Sequence, residues 1–296
     1  MKTIGYLGPQ GTFTELAVKG LFKEGSHLPF STIPACMDAV ANKEADLAVV
    51  PLENAIEGSV NLSMDYLIHK HTLPIIGEIV VPIEQHLLVA PSMADKWKGC
   101  TEIYSHPHAI AQCHDFLNKE LPGSDLQYTN STGAAAKKVL EESDRPIAAI
   151  ANELAAQQYG LVIAQKNIHD YVNNHTKFVI LKRPETSFHV SSSLKTGEKT
   201  TLMVTLPSDY SGALHQVLSA FAWRKLNLSK IESRPMKTGL GNYFFVIDVD
   251  QAMDEVLIPG VVQELEALGC GVRVLGSYPC FSLQNVEEGV KNPVPK

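Results

Sequence analysis

Short apolar runs recur along the first 182 residues: KTIGYLG, DLAVVPLE, IIGEIVV, QHLLVAP, IAAIAN and KFVIL. Between them the apolar residues return at helical spacing. Runs of this kind suit strands covered on both faces, and their alternation with helical segments predicts an α/β layer fold with a mostly parallel sheet. Helix starts are also readable: Thr12 is spaced from Glu15 as in a capping box, Pro34 suits a first helical turn, and Ser131 suits an N-cap. Strand ends meet helix starts repeatedly. That gathers backbone N–H groups and positive dipole ends on one rim of a sheet, where open α/β proteins take ligands.

The rhythm breaks after residue 182. Residues 183–199, rich in Ser, Thr and charge, read as a linker. Residues 200–280 then give TTLMVTLP (strand), GALHQVLSAFAWRKL (helix), LSKIESRP (strand), NYFFVIDVD (strand), EVLIPGVVQELEALG (helix) and GVRVLGSY (strand). This is the βαββαβ order of a ferredoxin-like domain. Residues 281–296 read as a loose tail, since NVEEGVKNPVPK carries no apolar periodicity.

Composition narrows the class. With 296 residues, 45% of them hydrophobic, the chain can bury one large core or two smaller ones. A formal net charge of −7 argues against partnership with nucleic acid or an anionic membrane, so any anionic substrate must be attracted locally. The opening MKTIGYLGPQ has no signal-peptide core, and no stretch approaches the roughly 20 apolar residues of a membrane span, which predicts a cytoplasmic protein. Five scattered cysteines without a C-x-x-C pair suit reduced thiols.

Four polar stretches interrupt strand ends or helix starts. GPQGT (8–12) follows the first strand, with Thr12 offering a hydroxyl, but it has neither Walker nor dinucleotide spacing. VPLENAIEGSVN (50–61) brings Glu53 and Asn54 out of an apolar strand, although Asn54 could equally bond its own turn while Glu57 lies in solvent. YSHPHAIAQCH (104–114) clusters Ser105, His106, His108, Gln112 and His114. With no carboxylate among them and no standard zinc spacing, a metal is disfavoured; Ser105 and Gln112 serve better as neutral donors, and the histidines read as capping or surface residues. NSTGAAAKKV (130–139) sets Ser131 and Thr132 at a helix start as a carboxylate cradle or an ordinary cap.

No nucleophile elbow or Cys–His pairing is visible, which leaves binding and proton transfer as the available chemistry. Within NNHTKFVIL (173–181), Thr176 can donate a hydrogen bond to a departing oxygen while Lys177 holds an anion. The same residues would also suit an edge strand with an exposed threonine and a snorkelling lysine.

In order, GYLGPQGTFTE, VPLENAIEGSV, YSHPHAIAQC, NSTGAAAKKV, AAIANELAAQQYGL, HTKFVIL, GALHQVLSAF and ESRP resemble the prephenate dehydratase family over nearly the whole chain. The resemblance implies a bilobal catalytic domain over 1–182, similar to type II periplasmic binding proteins, followed by an ACT regulatory domain. It implies conversion of prephenate to phenylpyruvate without metal or organic cofactor. In the family's T-R-F motif the threonine is essential, and it falls on Thr176. Asn54, Ser105, Gln112, Lys177 and Phe178 are implied to line or shape the substrate cleft, with Thr12, Ser131 and Thr132 beside them.

For the second domain the resemblance implies phenylalanine as effector at a dimer interface, in a homodimer or tetramer. The residues concerned are Gly212, Ala213, Leu214 and His215 with Glu232, Ser233, Arg234 and Pro235. Three positions depart from the family pattern: Lys177 stands where arginine is usual, Ala55 replaces the serine of E-N-S, and Thr14 replaces a serine. A lysine keeps the charge but cannot clamp a carboxylate through two parallel bonds. The rival readings are an arogenate or dual-substrate dehydratase and a non-catalytic amino-acid sensor.

Overall fold

A computed structural model of the chain describes residues 2–186, 190–208, 211–236 and 243–283. Over these residues the chain forms two units, one of residues 2–70 with 79–178 and 282–283, the other of residues 71–78 with the described residues between 179 and 281.

The first unit contains two sheets. In one, β1 (Thr3–Leu7) lies between β2 (Ser26–Phe30) and β3 (Leu47–Asn54), parallel to both. A short β4 (Gly58–Ser59) folds back antiparallel on β3. Helices α1 (Phe13–Leu21), α2 (Ile33–Ala41) and α3 (Asn61–His69) follow these strands, and β5 (Ile75–Pro82) leads the chain away.

The other sheet is built from β6 (His86–Val89), β7 (Glu102–Ser105), β8 (Asp125–Tyr128), β9 (Ile147–Ala151) and β10 (Val162–Gln165), in the order β10-β6-β9-β7-β8. Helices α4 (Pro107–Ala111), α5 (His114–Glu120), α6 (Thr132–Glu141) and α7 (Glu153–Tyr159) connect them. β7 runs parallel to β8 and β9, whereas β6 is antiparallel to β9 and β10, so this sheet mixes the two directions where a mostly parallel sheet is expected. The first half of β11 (His175–Lys182), up to Phe178, belongs to this unit and returns beside β3.

The apolar runs are explained by two-sided burial. Along β6, Leu87 and Val89 join the cluster under α4 and α5, while Leu88 points into the cluster under α6 and α7. On β9 the alternation repeats, with Ala148 and Ile150 on one side and Ile147, Ala149 and Ala151 on the other. A strand covered on both faces needs no polar residue. Three of the strands missing from the predicted runs are sheet-edge ones: β2 and β8 are largely exposed and β10 is half-buried, so no apolar run marks them, while the interior β7 is too short and mixed in sequence to show one.

The second unit has β12 (Lys195–Thr205), α8 (Ala213–Ala222), β13 (Leu228–Pro235), β14 (Tyr243–Val249), α9 (Leu257–Ala267) and β15 (Gly271–Ser282). Its sheet order β13-β14-β12-β15, antiparallel throughout, is ferredoxin-like. Val217 and Phe221 of α8 and Ile258, Val261 and Leu265 of α9 cover one face with Leu202, Val204 and Ile247. β12 begins at Lys195, so the end of the expected linker is strand, and β15 runs to Ser282, so the first residues of the expected tail (281–296) are strand as well; residues 187–189 of the linker, and the tail from 284 onward, lie outside the described residues.

Candidate active site

A cavity of about 700 Å³ opens within the first unit, lined from both of its sheets. Its floor comes from the start of β11. In an extended chain alternate residues share a face, so Thr176 and Phe178 both line the cavity, 9% and 2% exposed. Lys177 points the other way. It is absent from the lining and pairs with Glu53 at 3.1 Å. The expected substrate-holding cation is therefore on the wrong face of the strand, for the simple reason that side chains alternate.

Thr176 is oriented by Asn54 at the end of β3. Asn54 Nδ2 donates to Thr176 Oγ1 at 2.9 Å and to Asn174 Oδ1 at 2.9 Å. The amide cannot be reversed without loss, because Asn54 Oδ1 already accepts the backbone N–H groups of Ile56 (3.0 Å) and Glu57 (3.1 Å). Direction then propagates. Asn174 Nδ2 donates to Gln112 Oε1 at 3.0 Å, and Gln112 Nε2 donates to Glu57 Oε1 at 3.3 Å. His108 Nδ1 closes the chain on Glu57 Oε2. Since Thr176 Oγ1 accepts from Asn54, its own hydrogen is the group left to donate, and it has no protein acceptor among the described residues.

Three helix starts face the same space. Thr12 caps α1 by accepting Glu15 N–H at 3.4 Å, and its hydroxyl donates to Pro9 O at 3.0 Å. Ser131 caps α6 by accepting Ala134 N–H at 3.0 Å, with Thr132 buried beside it. His106 Nδ1 accepts His108 N–H at 3.3 Å at the start of α4. Thr12, Ser131, Thr132 and His106 all line the cavity, and the unpaired N–H groups of first helical turns make its rim receptive to anions. The rim is tightly built: a Cβ on Gly133 of α6 would stand 2.3 Å from Gln10 O. The buried Glu15 braces the loop, accepting Gly11 N–H at 2.6 Å and Gln158 Nε2 at 2.8 Å.

Sequence reading and geometry agree on Thr176, Asn54, Gln112, Phe178, Thr12, Ser131 and Thr132 as residues of one cavity. Ser105 is not among them: it is fully buried and donates to Ile150 O at 2.7 Å, tying β7 to β9. A hydroxyl at the end of a two-sided strand had a backbone partner closer than any ligand. Glu57, which could have been a solvent residue, lines the cavity, and Asn174, 2% exposed, was missed. Its position two before Thr176, on the same face, was the available signal. Thr14 also lines the cavity, while Ala55 is exposed and donates its N–H to His175 O at 2.9 Å.

In the second unit, Gly212 caps α8 in the left-handed region (φ 92°), a backbone state that favours glycine, and Ala213, Leu214 and His215 open the helix. Glu232, Ser233, Arg234 and Pro235 end the edge strand β13. Arg234, 6% exposed, bonds Glu232 at 2.9 Å, and Lys230 bonds the same carboxylate at 3.0 Å.

Residues 4–186 match the family model described as prephenate dehydratase. A prephenate dehydratase of Bacillus subtilis is 59% identical over 95% of this chain and 99% of its own length. One from Lactococcus lactis subsp. cremoris is 41% identical over 96% of this chain and 99% of its own. The solved prephenate dehydratase of Arthrobacter aurescens, in complex with L-Phe, superposes with a TM-score of 0.81 at 35% identity, covering 93% of this chain and 89% of that one.

Proposed function

The chain belongs to the prephenate dehydratase family, and from that premise we propose that the cavity of the first unit converts prephenate to phenylpyruvate in phenylalanine biosynthesis, with Thr176 as the catalytic residue. Loss of the ring carboxylate as carbon dioxide releases an electron pair that moves through the diene and expels the ring hydroxyl. Aromatisation drives the reaction. The leaving oxygen takes a proton and departs as water, so the protein's task is to hold a dianion in one orientation and stabilise negative charge on that oxygen.

The observation that carries this reading is the 2.9 Å bond from Asn54 to Thr176 Oγ1, which leaves the threonine hydrogen to donate within the cavity. Gln112 and Asn54 orient the substrate's polar groups, and Phe178 offers a ring-sized apolar wall. The carboxylates meet the starts of α1 and α6 at Thr12, Ser131 and Thr132, where N–H groups and dipoles substitute for the absent cation. Lys177 acts at one remove, by holding Glu53 at the end of β3 next to Asn54. No cofactor is invoked.

We further propose phenylalanine as the effector of the second unit, an ACT module, through Gly212–His215 and Glu232–Pro235. The L-Phe complex of the Arthrobacter aurescens relative supports this, as does a guanidinium at Arg234 already held rigid by Glu232. Association into a homodimer, or a pair of dimers, is supported by the edge strand β13, where Ile231 is 45% exposed. A cytoplasmic location fits amino-acid biosynthesis; among the described residues no helix is long and apolar enough to cross a membrane.

Steady-state rates with prephenate and with arogenate, each with and without phenylalanine, test the proposal. Faster turnover of prephenate and a phenylalanine-dependent change in rate are expected. Absence of turnover in folded protein would favour a sensor.

A further inference from the structure

The cavity contains an electrostatic oddity. Among its described lining residues there is neither lysine nor arginine, yet there is one carboxylate, Glu57. Glu57 is not isolated: Oε1 accepts from Gln112 Nε2 at 3.3 Å and Oε2 is met by His108 Nδ1. His106 stands edge-on to His108, ring centroids 4.9 Å apart, and burial together with its neighbour His108 lowers its pKa. The balance of charge at this wall therefore depends on one pair. Paired with His108, the Glu57 carboxylate is countered; alone, it makes the wall anionic.

The two substrates this cavity must tell apart differ by one positive charge at one position. Prephenate carries a keto group and two carboxylates, whereas arogenate carries an ammonium in place of the keto oxygen. An uncompensated carboxylate repels the first and attracts the second. We infer that the Glu57–His108 pair is the specificity-determining element of the cavity, with His108 cancelling the Glu57 charge so that the keto acid is preferred over its amino analogue. The inference rests on the dehydratase reading of the cavity. Discrimination arises here by removing an attraction to the wrong substrate as well as by binding the right one.

His108→Gln keeps an N–H donor for Glu57 but removes the positive charge, and Glu57→Gln removes the negative one. Dissociation constants for prephenate and arogenate, measured by titration calorimetry in the Thr176→Ala background, separate binding from turnover. The side chains are 59% and 33% exposed, so screening keeps the effect moderate. His108→Gln is expected to move the prephenate-to-arogenate affinity ratio about fivefold toward arogenate, and Glu57→Gln about as far toward prephenate. The double variant should return to within about twofold of the starting ratio, a restoration that simple damage to the wall would not produce. Single variants that leave the ratio unmoved, or both move it the same way, overturn the inference while leaving prephenate turnover by the wild type intact. If the wild type neither binds nor turns over either compound, the dehydratase reading falls, and the pair's role falls with it.

Discussion

Asn54 Nδ2 stands 2.9 Å from Thr176 Oγ1, joining the end of β3 to the start of β11, residues 122 positions apart in the chain. The same nitrogen reaches Asn174, and the opposite end of the amide is fixed by two backbone N–H groups. This locks the donor direction and decides which way the threonine hydroxyl can act. The threonine proposed as catalytic thus has its orienting partner in a different sequence block.

Replacing Asn54 by Asp tests that direction. The carboxylate can still accept from Ile56 and Glu57, so the turn survives, but it has no hydrogen to offer Thr176. We expect kcat to fall by about 10- to 100-fold with a smaller change in KM, as for loss of one oriented donor in a reacting site. Steady-state kinetics beside a circular dichroism spectrum checks it; an unchanged kcat would detach Asn54 from catalysis.

Asn174→Ala should act through two neighbours at once. It strips Asn54 of one acceptor and leaves Gln112 Oε1 without its 3.0 Å donor. A buried polar group left unpaired costs about 1–3 kcal/mol, so both the urea midpoint and kcat should drop. A variant with full stability and full activity would show that the relay is incidental.

The site was legible in the sequence where a local rule and a spatial one coincide. Thr12 and Ser131 were recognisable as caps, and caps are what line the rim. Thr176, Asn54 and Gln112 emerged from ordered blocks, since no local pattern links residues so far apart. Lys177 misled because its charge suggested a substrate contact while the strand's period turned it toward Glu53. Asn174 does not stand out, because a pair of asparagines before a strand resembles any turn. The βαββαβ order was readable from periodicity alone; the exposed edge strands β2 and β8 were not, having no buried face to impose a pattern.

Lys199 offers a test of the second unit by itself. It lies buried on β12, 3.0 Å from Glu78 and 3.8 Å from Asp248, and Thr201 bonds both Asp248 and Tyr278 at 2.7 Å. Burial disfavours the ammonium, but Glu78 and Asp248 outweigh it and raise its pKa above 10.5. A raised lysine pKa means the contribution is fully present below the unfolded value and is lost only as pH rises through the folded one, so stability from this cluster is flat near neutrality. Lys199→Met leaves two buried carboxylates uncompensated and should cost about 3–5 kcal/mol in urea unfolding. Adding Glu78→Gln should recover part of that loss; no recovery would contradict the charge argument.

His86 predicts a stability change on acidification. It is 3% exposed, its Nδ1 accepts Asn167 N–H at 3.0 Å, and burial lowers its pKa below 6.5. His106 and His27 are shifted the same way, each chiefly by burial. For a depressed histidine the unfolded chain binds the proton first, so the contribution is full above the unfolded pKa and declines as pH falls from about 6.5 toward the lower folded value. Melting temperatures taken from pH 8 down to 5 should decrease, and His86→Asn should flatten part of that decrease.

The most direct measurement is phenylpyruvate formation from prephenate by wild type, Thr176→Ala and Thr176→Ser, each shown to be folded by its melting curve. If an oriented hydroxyl assists departure of the ring oxygen, Thr176→Ala loses about 100-fold or more in kcat while Thr176→Ser, which keeps the hydroxyl, retains most of the rate. Turnover by folded Thr176→Ala at the wild-type rate would contradict the account.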